Sequence, residues 1–130
     1  MIRILVALLL AAHGVGHSIG VAGGWAGNAW GGSGSSWLLT PVLGRSIGAV
    51  EGVLFLLPAI GFVAAAVGLW LGYDAWRPIA IGSAVLSLAA VALFPEQLPF
   101  GSTVGALLVN AAVLIGLLVM HWPSAETVGA

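Results

Sequence analysis

Four apolar stretches, each close to the length of a membrane crossing and separated by short breaks, constrain this chain more than any other feature of its sequence. A helix that crosses a bilayer needs about 20 mostly apolar residues, since the hydrocarbon core is about 30 Å thick and each residue rises about 1.5 Å. Residues 4–23, 47–71, 78–94 and 103–122 meet that requirement. No period-two alternation appears, and backbone groups in lipid must be satisfied within their own segment. The expected architecture is therefore all-α, a four-transmembrane-helix bundle forming a single integral membrane domain. Charge agrees with it. Only 5% of the residues are charged, against about a quarter in a soluble domain. Every charge except Glu51 falls at or beyond the end of a stretch.

The aromatic residues mark the same boundaries. Trp25, Trp30 and Trp37 follow the first stretch, and Phe94 and Phe100 flank the end of the third. Trp70, Tyr73, Trp76 and Trp122 mark the opposite interface, where amphipathic rings are favoured. Pro78 opens the third helix, where a missing N–H is harmless, and Pro123 closes the fourth. Arg3 and Arg77 share one side and Arg45 lies on the other, so the positive-inside rule points to cytoplasmic termini. The first stretch begins like a signal peptide, but its apolar character runs past His17 to Val21, long enough to span rather than be cleaved. Residues 24–46 read as a flexible Gly/Ser/Trp-rich loop lying on the headgroups.

Lipid gives helices no hydrophobic reason to associate, so small residues that allow close backbone approach must supply one. Gly16, Gly20 and Gly24 recur every four residues, as do Gly44, Gly48 and Gly52, followed later by Gly68 and Gly72. Such spacing keeps residues on one helical face. Gly16 and Gly20 are thus expected to meet Gly48 and Gly52 where the first two spans cross. Pro58 removes one backbone donor and is expected to kink the second span.

Polar residues within the spans are the only chemical signal. His13 and His17 stand four apart, on one face, with His13 near mid-membrane and His17 about 6 Å nearer the surface. Imidazoles at that depth must find hydrogen bonds inside the bundle. Glu51, Asn110 and the pair Ser83 and Ser87 are expected at a similar depth, one group of residues per helix. Three readings compete. The set can be an interhelical hydrogen-bond network that joins the spans. It can be a proton-responsive or ligand-holding site, as in a proton-coupled carrier or a quinone pocket, with Glu51 favouring charged histidine. It can also be a metal or haem site built on His13, His17 and Glu51. Histidines at i and i+4 cannot ligate opposite faces of one haem, and no HExxH occurs. His121, beside Trp122, is expected to snorkel at the far interface.

Other classes find little support. The net charge of −1 offers no basic surface for nucleic acid, and the absence of cysteine removes disulfides, thiolate metal sites and cysteine nucleophiles. No nucleotide-binding loop, nucleophile elbow or pair of intramembrane carboxylates occurs. Nor is there a ring of charges or a filter-like segment of the kind channels use.

The run from Arg3 through His13-Gly14-Val15-Gly16-His17 resembles a group of uncharacterised bacterial four-helix membrane proteins whose first helix carries HGxxH. The likeness continues through Leu39-Thr40-Pro41, the Gly48 to Leu56 segment, Leu86 and Ser87, and Phe100-Gly101-Ser102-Thr103 with Asn110. In size and helix count the chain is loosely similar to the DoxX-like group. The resemblance implies a bacterial inner-membrane protein and carries no established activity. It also implies an apolar or aromatic residue where this chain has Glu51, which weakens the pairing of histidine with carboxylate. The expectation is a non-enzymatic membrane component, in contact with the lipid bilayer and with a membrane-protein partner or a second copy. A small proton-linked carrier or cofactor-binding protein is the alternative.

Overall fold

A computed structural model of the chain describes residues 1–27 and 34–129. Helices α1 (Ile2–Gly16) and α2 (Ser18–Ala26) form the first span, and a short α3 (Thr40–Leu43) leads through a 3₁₀ turn into α4 (Ile47–Leu71). Helix α5 (Trp76–Leu93) is the third span. Helix α6 (Phe100–Leu114) is extended by a wide π turn to Val119 to make the fourth, and a last short helix, α7, covers Ala125–Val128. Four helical segments are long and apolar enough to cross a membrane: Ile2–Ala26, Thr40–Leu71, Trp76–Leu93 and Phe100–Val119. No strand occurs among the described residues. The chain is a four-helix membrane bundle.

The expected spans need adjusting at their ends. The first is longer at both ends than residues 4–23, and it is broken at His17, where His17 N–H turns back to Gly14 O at 3.1 Å. The third runs slightly earlier, from Trp76 to Leu93. The fourth starts at Phe100 and stops before Trp122, because Met120 and Trp122 donate their N–H groups back to Ile115 O and Gly116 O. Helix α4 keeps its expected bounds and remains one helix through Pro58. The glycine and tryptophan loop was expected to be flexible throughout, yet the part from 34 onward is folded. Trp37 Nε1 donates to Ala92 O at 2.8 Å, tying this segment to the end of α5, and Ser36 Oγ accepts from Leu39 N–H within the segment. Trp30 and the rest of residues 28–33 lie outside the described residues.

One end of the bundle carries both termini, and the other carries the 34–46 segment. At the terminal end α4 stops in a Schellman turn: Gly72 sits at φ 79°, Tyr73 N–H reaches Gly68 O at 2.8 Å and Gly72 N–H reaches Leu69 O. Arg3 covers the same end, Nε donating to Leu69 O at 2.8 Å and Nη2 to Trp70 O. A guanidinium there satisfies the last carbonyls and favours the negative end of the helix dipole. Arg77 similarly holds Pro123 O and lies over the Trp76 ring.

Trp76 and Phe94 correct the reading of aromatics as interface anchors, since each is only 1% exposed. Trp76 turns inward because Gly68 leaves room for it. Trp25, Trp37, Trp70, Tyr73, Phe100 and Trp122 are exposed as expected.

The first and second spans are in backbone contact. A methyl group on Gly24 would lie 2.5 Å from Gly52 N and 2.7 Å from Gly48 O. One on Gly14 would lie 2.8 Å from Ala59 O, and one on Gly20 would run into the Phe55 ring. Gly48 and Gly52 do lie at the crossing, but against Gly24 and the Trp25 indole rather than against Gly16 and Gly20. Gly16 does not: nothing lies within 4 Å of where its Cβ would be. Steps of four residues advance about 40° around a helix, so the stripe that faces α4 at Gly24 has rotated off it at Gly16. Gly44 likewise has open space around it, and Gly72 serves as the cap of α4 rather than in a stripe.

Contacts then run in sequence, first span to α4, α4 to α5 and α5 to α6, with the seam between the first span and α6 the least closed. Replacing Gly24 with alanine is expected to destabilise the bundle by about 1–3 kcal/mol through overpacking, whereas Gly16→Ala is expected to be neutral or stabilising. Unfolding by denaturant in detergent micelles measures both, and equal effects would contradict this assignment of the two glycines.

Candidate functional site

The apolar interior is divided in two. A cluster around Leu10, Phe62, Leu69, Trp76, Ala84 and Val113 fills the terminal half, and one around Phe55, Ala90, Phe94, Leu98 and Ala106 fills the other. Between them, in every inner span, lies a polar or aromatic layer. His13 and His17 at the end of α1, Ser87 between Ala84 and Ala90, and Asn110 between Ala106 and Val113 bring four polar side chains together.

They form a single chain of hydrogen bonds across three spans. His13 Nε2 lies 3.0 Å from Asn110 Oδ1, Asn110 Nδ2 donates to Ser87 Oγ at 2.6 Å, and Ser87 Oγ lies 2.9 Å from His17 Nε2. The amide oxygen can only accept, so His13 Nε2 carries a proton and donates to it, and Ser87 Oγ accepts from the amide nitrogen. The bond between Ser87 and His17 closes the chain, its direction set by the tautomer of His17. His17 Nδ1 is buried and has no hydrogen-bond partner among the described residues.

His17, Ser87 and Asn110 are buried, at 2%, 0% and 0% exposure, while His13 is half-buried. Burial without partners would cost each group several kcal/mol in lipid, so the mutual pairing explains how four polar groups are tolerated there. Phe62 of α4 supports both imidazoles, with ring centroids 4.7 Å from His13 and 6.1 Å from His17. Phe55 lies 5.9 Å from His17, and the two histidines meet edge to face at 5.0 Å. The two phenylalanines were not picked out from the sequence. Their spacing of seven, on the face that also holds Glu51, is the signal that could have found them.

Glu51 corrects the expected constellation. The contacts of Gly14 with Ala59, Gly20 with Phe55 and Gly24 with Gly52 set a register in which His17 is level with Pro58 and Glu51 with Gly24. The carboxylate is thus seven residues, about 10 Å, toward the loop end from His17. Phe55 occupies the place expected for it. Glu51 is 1% exposed and its Oε1 has no partner among the described residues. Among the described residues no three His, Asp or Glu side chains come together in a way that could hold a metal ion, so His13, His17 and Glu51 do not form the proposed ligand set. The Nε2 atoms of both histidines face Asn110 and Ser87, an arrangement that does not fit haem either.

Ser83 also stands outside the network. Its Oγ donates to Ile79 O one turn back at 2.8 Å and rests against Gly61. His121 is exposed at the terminal end, away from the polar layer. Two further buried polar residues, Gln97 and Ser36, belong to the loop end. The Gln97 amide fills the space that glycine leaves at Gly23. Nothing in the sequence singled Gln97 out.

A cavity of about 240 Å³ opens beside the network, in the seam between the first span and α6. His13 and His17 line it together with Ala12, Gly16, Ser102 and Gly105. A larger recess of about 630 Å³ along the first span, α4 and α5 is almost wholly apolar, lined by residues such as Gly14, Ala59, Val63 and Ile79, and bears no part of the network.

No family model, curated protein or solved structure matches the chain, so geometry alone bears on its chemistry. Ser87→Ala would strand both Asn110 Nδ2 and His17 Nε2. It is expected to cost about 1–3 kcal/mol, and Ser87→Ala combined with Asn110→Ala much less than the two single changes added together. Ser83→Ala is expected to change little. A double-mutant cycle in reversible micellar unfolding measures the coupling, and strictly additive effects would refute the network as drawn.

Proposed function

We propose that this protein is a non-enzymatic component of the bacterial inner membrane, with cytoplasmic termini, acting as an accessory subunit beside a membrane-protein partner or a second copy of itself. The observation that carries this reading is the self-contained network His13–Asn110–Ser87–His17. Its members use one another's donors and acceptors to tie the first, third and fourth spans, a task that interhelical hydrogen bonds perform in lipid, at about 0.6 kcal/mol each on average. Glu51, the carboxylate within the spans, stands about 10 Å from it. The resemblance of the histidine segment supports the bacterial setting, and Arg3 and Arg77 at the terminal end against Arg45 at the other support the orientation.

Two experiments test this. The purified protein is expected to show no Soret band and no stoichiometric metal; either one would overturn the accessory reading. Alkaline phosphatase fused after Gly101 is expected to be active and fused after Gly129 inactive, and the reverse pattern would invert the topology.

A small proton-linked carrier is the second reading, favoured by the buried Glu51 carboxylate with its unpartnered Oε1. Intramembrane carboxylates commonly mark ion pathways. In proteoliposomes, proton uptake that is abolished by Glu51→Gln would favour it, and flux unaltered by Glu51→Gln and by the His13→Ala, His17→Ala pair would remove it.

A further inference from the structure

Helix α4 turns one face outward at every third or fourth residue: Ile60, Val63, Val67 and Trp70, all exposed. Along the first three of these runs the apolar recess of about 630 Å³, walled by the first span at Val15 and by α5 at Ile79. It is hollow because Ala59 and Ala64 carry little side chain between those walls. Its reach along the span follows from where these residues fall. Ile60 stands eleven residues, about 16 Å, from the end of α4 at Leu71. One leaflet contributes about half of the 30 Å hydrocarbon core. The recess thus extends from the terminal end of the bundle to mid-membrane, which is the course of a single acyl chain.

The terminal end of that face is positively charged. Tyr73 lines the recess there, and one turn beyond Val67, Trp70 joins Arg3 and Ile4 around a second hollow of about 340 Å³. Arg3 stands beside the turn that carries Tyr73, its Nη2 3.6 Å from where a methyl group on Gly72 would lie. The guanidinium is already anchored, Nε on Leu69 O and Nη2 on Trp70 O, and both acceptors are neutral carbonyls. They leave its charge uncancelled, and a planar fork of five donors is not exhausted by two bonds. Arg77, by contrast, is turned to Pro123 O, and Asp74 is exposed in the same turn as Tyr73. A fixed guanidinium between exposed aromatic rings at headgroup level suits a phosphate, and basic pockets between transmembrane helices bind lipid head groups.

We propose that the outer face of α4 is a binding site for one phospholipid of the leaflet at the terminal end, with its phosphate on Arg3 and one acyl chain in the recess between Val15 and Ile79. Charge and continuity select this occupant. A plain hydrocarbon would leave Arg3 without an anion, and a free phosphate would leave the recess unfilled. A phospholipid meets both along the one line of residues from Trp70 to Ile60. The site uses no member of the polar layer, so it goes beyond the accessory and carrier readings and depends on neither.

The test uses the full chain in detergent micelles and native mass spectrometry. Palmitoyl-oleoyl phosphatidylglycerol is titrated, with the diacylglycerol of the same chains as the control. One saturable adduct is expected with the phospholipid, and at least fivefold weaker binding with the diacylglycerol. Arg3→Gln keeps an amide donor for the α4 carbonyls but removes the charge, and is expected to weaken phospholipid binding at least fivefold. Ala64→Trp fills the recess from an exposed position and is expected to do the same. Leu108→Trp, exposed on α6, is expected to leave binding unchanged. The two tryptophan variants sit at exposed positions and are expected to unfold as the parent does, so they decide the matter even where Arg3→Gln loosens the end of α4. Adducts that accumulate without saturating, equal binding of the diacylglycerol, or binding undiminished in Ala64→Trp would overturn the proposal. So would a dimer that phospholipid fails to displace and that Ala64→Trp abolishes, since a second copy would then fill the recess.

Discussion

Backbone against backbone, at Gly24 with Gly48 and Gly52, is the contact on which the remaining geometry depends. Helices in lipid gain nothing by merely hiding apolar surface, and their association relies on dispersion between closely fitted atoms. Once the first two spans meet at that point, their antiparallel register follows residue by residue. Gly20 receives Phe55, Gly14 receives Ala59, and Phe62 comes under both imidazoles. The same register leaves Glu51 two turns short of the histidines. A shift of one helical turn would bring a different set of side chains into the polar layer.

That layer is unusual chiefly in being complete along one direction and open at one atom. Asn110 accepts from His13 and donates to Ser87, whose hydroxyl carries the chain on to His17. Hydrogen bonds arranged head to tail in a low dielectric strengthen one another. The apolar clusters on either side exclude competing water. The weak place is the seam between the first span and α6, where the chain of bonds supplies much of what small-residue contact supplies elsewhere.

Much of this was legible in the sequence, for identifiable reasons. Apolar length fixed the number of spans, since the bilayer thickness is an external ruler. Helical periodicity and depth together singled out His13, His17, Ser87 and Asn110, because polar groups that lipid cannot satisfy have few places to go. Depth counted from span ends failed for Glu51, since it assumes that neighbouring helices begin level. Helix α4 is preceded by α3 and its turn, and the first span runs on to Ala26. Spacing by fours identified Gly20, Gly48 and Gly52 but overreached at Gly16, where the face had turned away from α4. Inward Trp76 was misread because an aromatic at a helix start looks the same whether it anchors to headgroups or fills a notch above Gly68. Contacts between distant loops, such as Trp37 with Ala92, leave no periodic trace at all.

The capping of α4 by Arg3 has a bearing on how such a chain is made. The side chain that closes the end of the second span belongs to the start of the first, while Leu69 and its carbonyl come 66 residues later in the chain. Until then the guanidinium has no carbonyls of that helix to meet, and the first span stands without its main neighbour. The first two spans consequently reach their final seating as a hairpin pair.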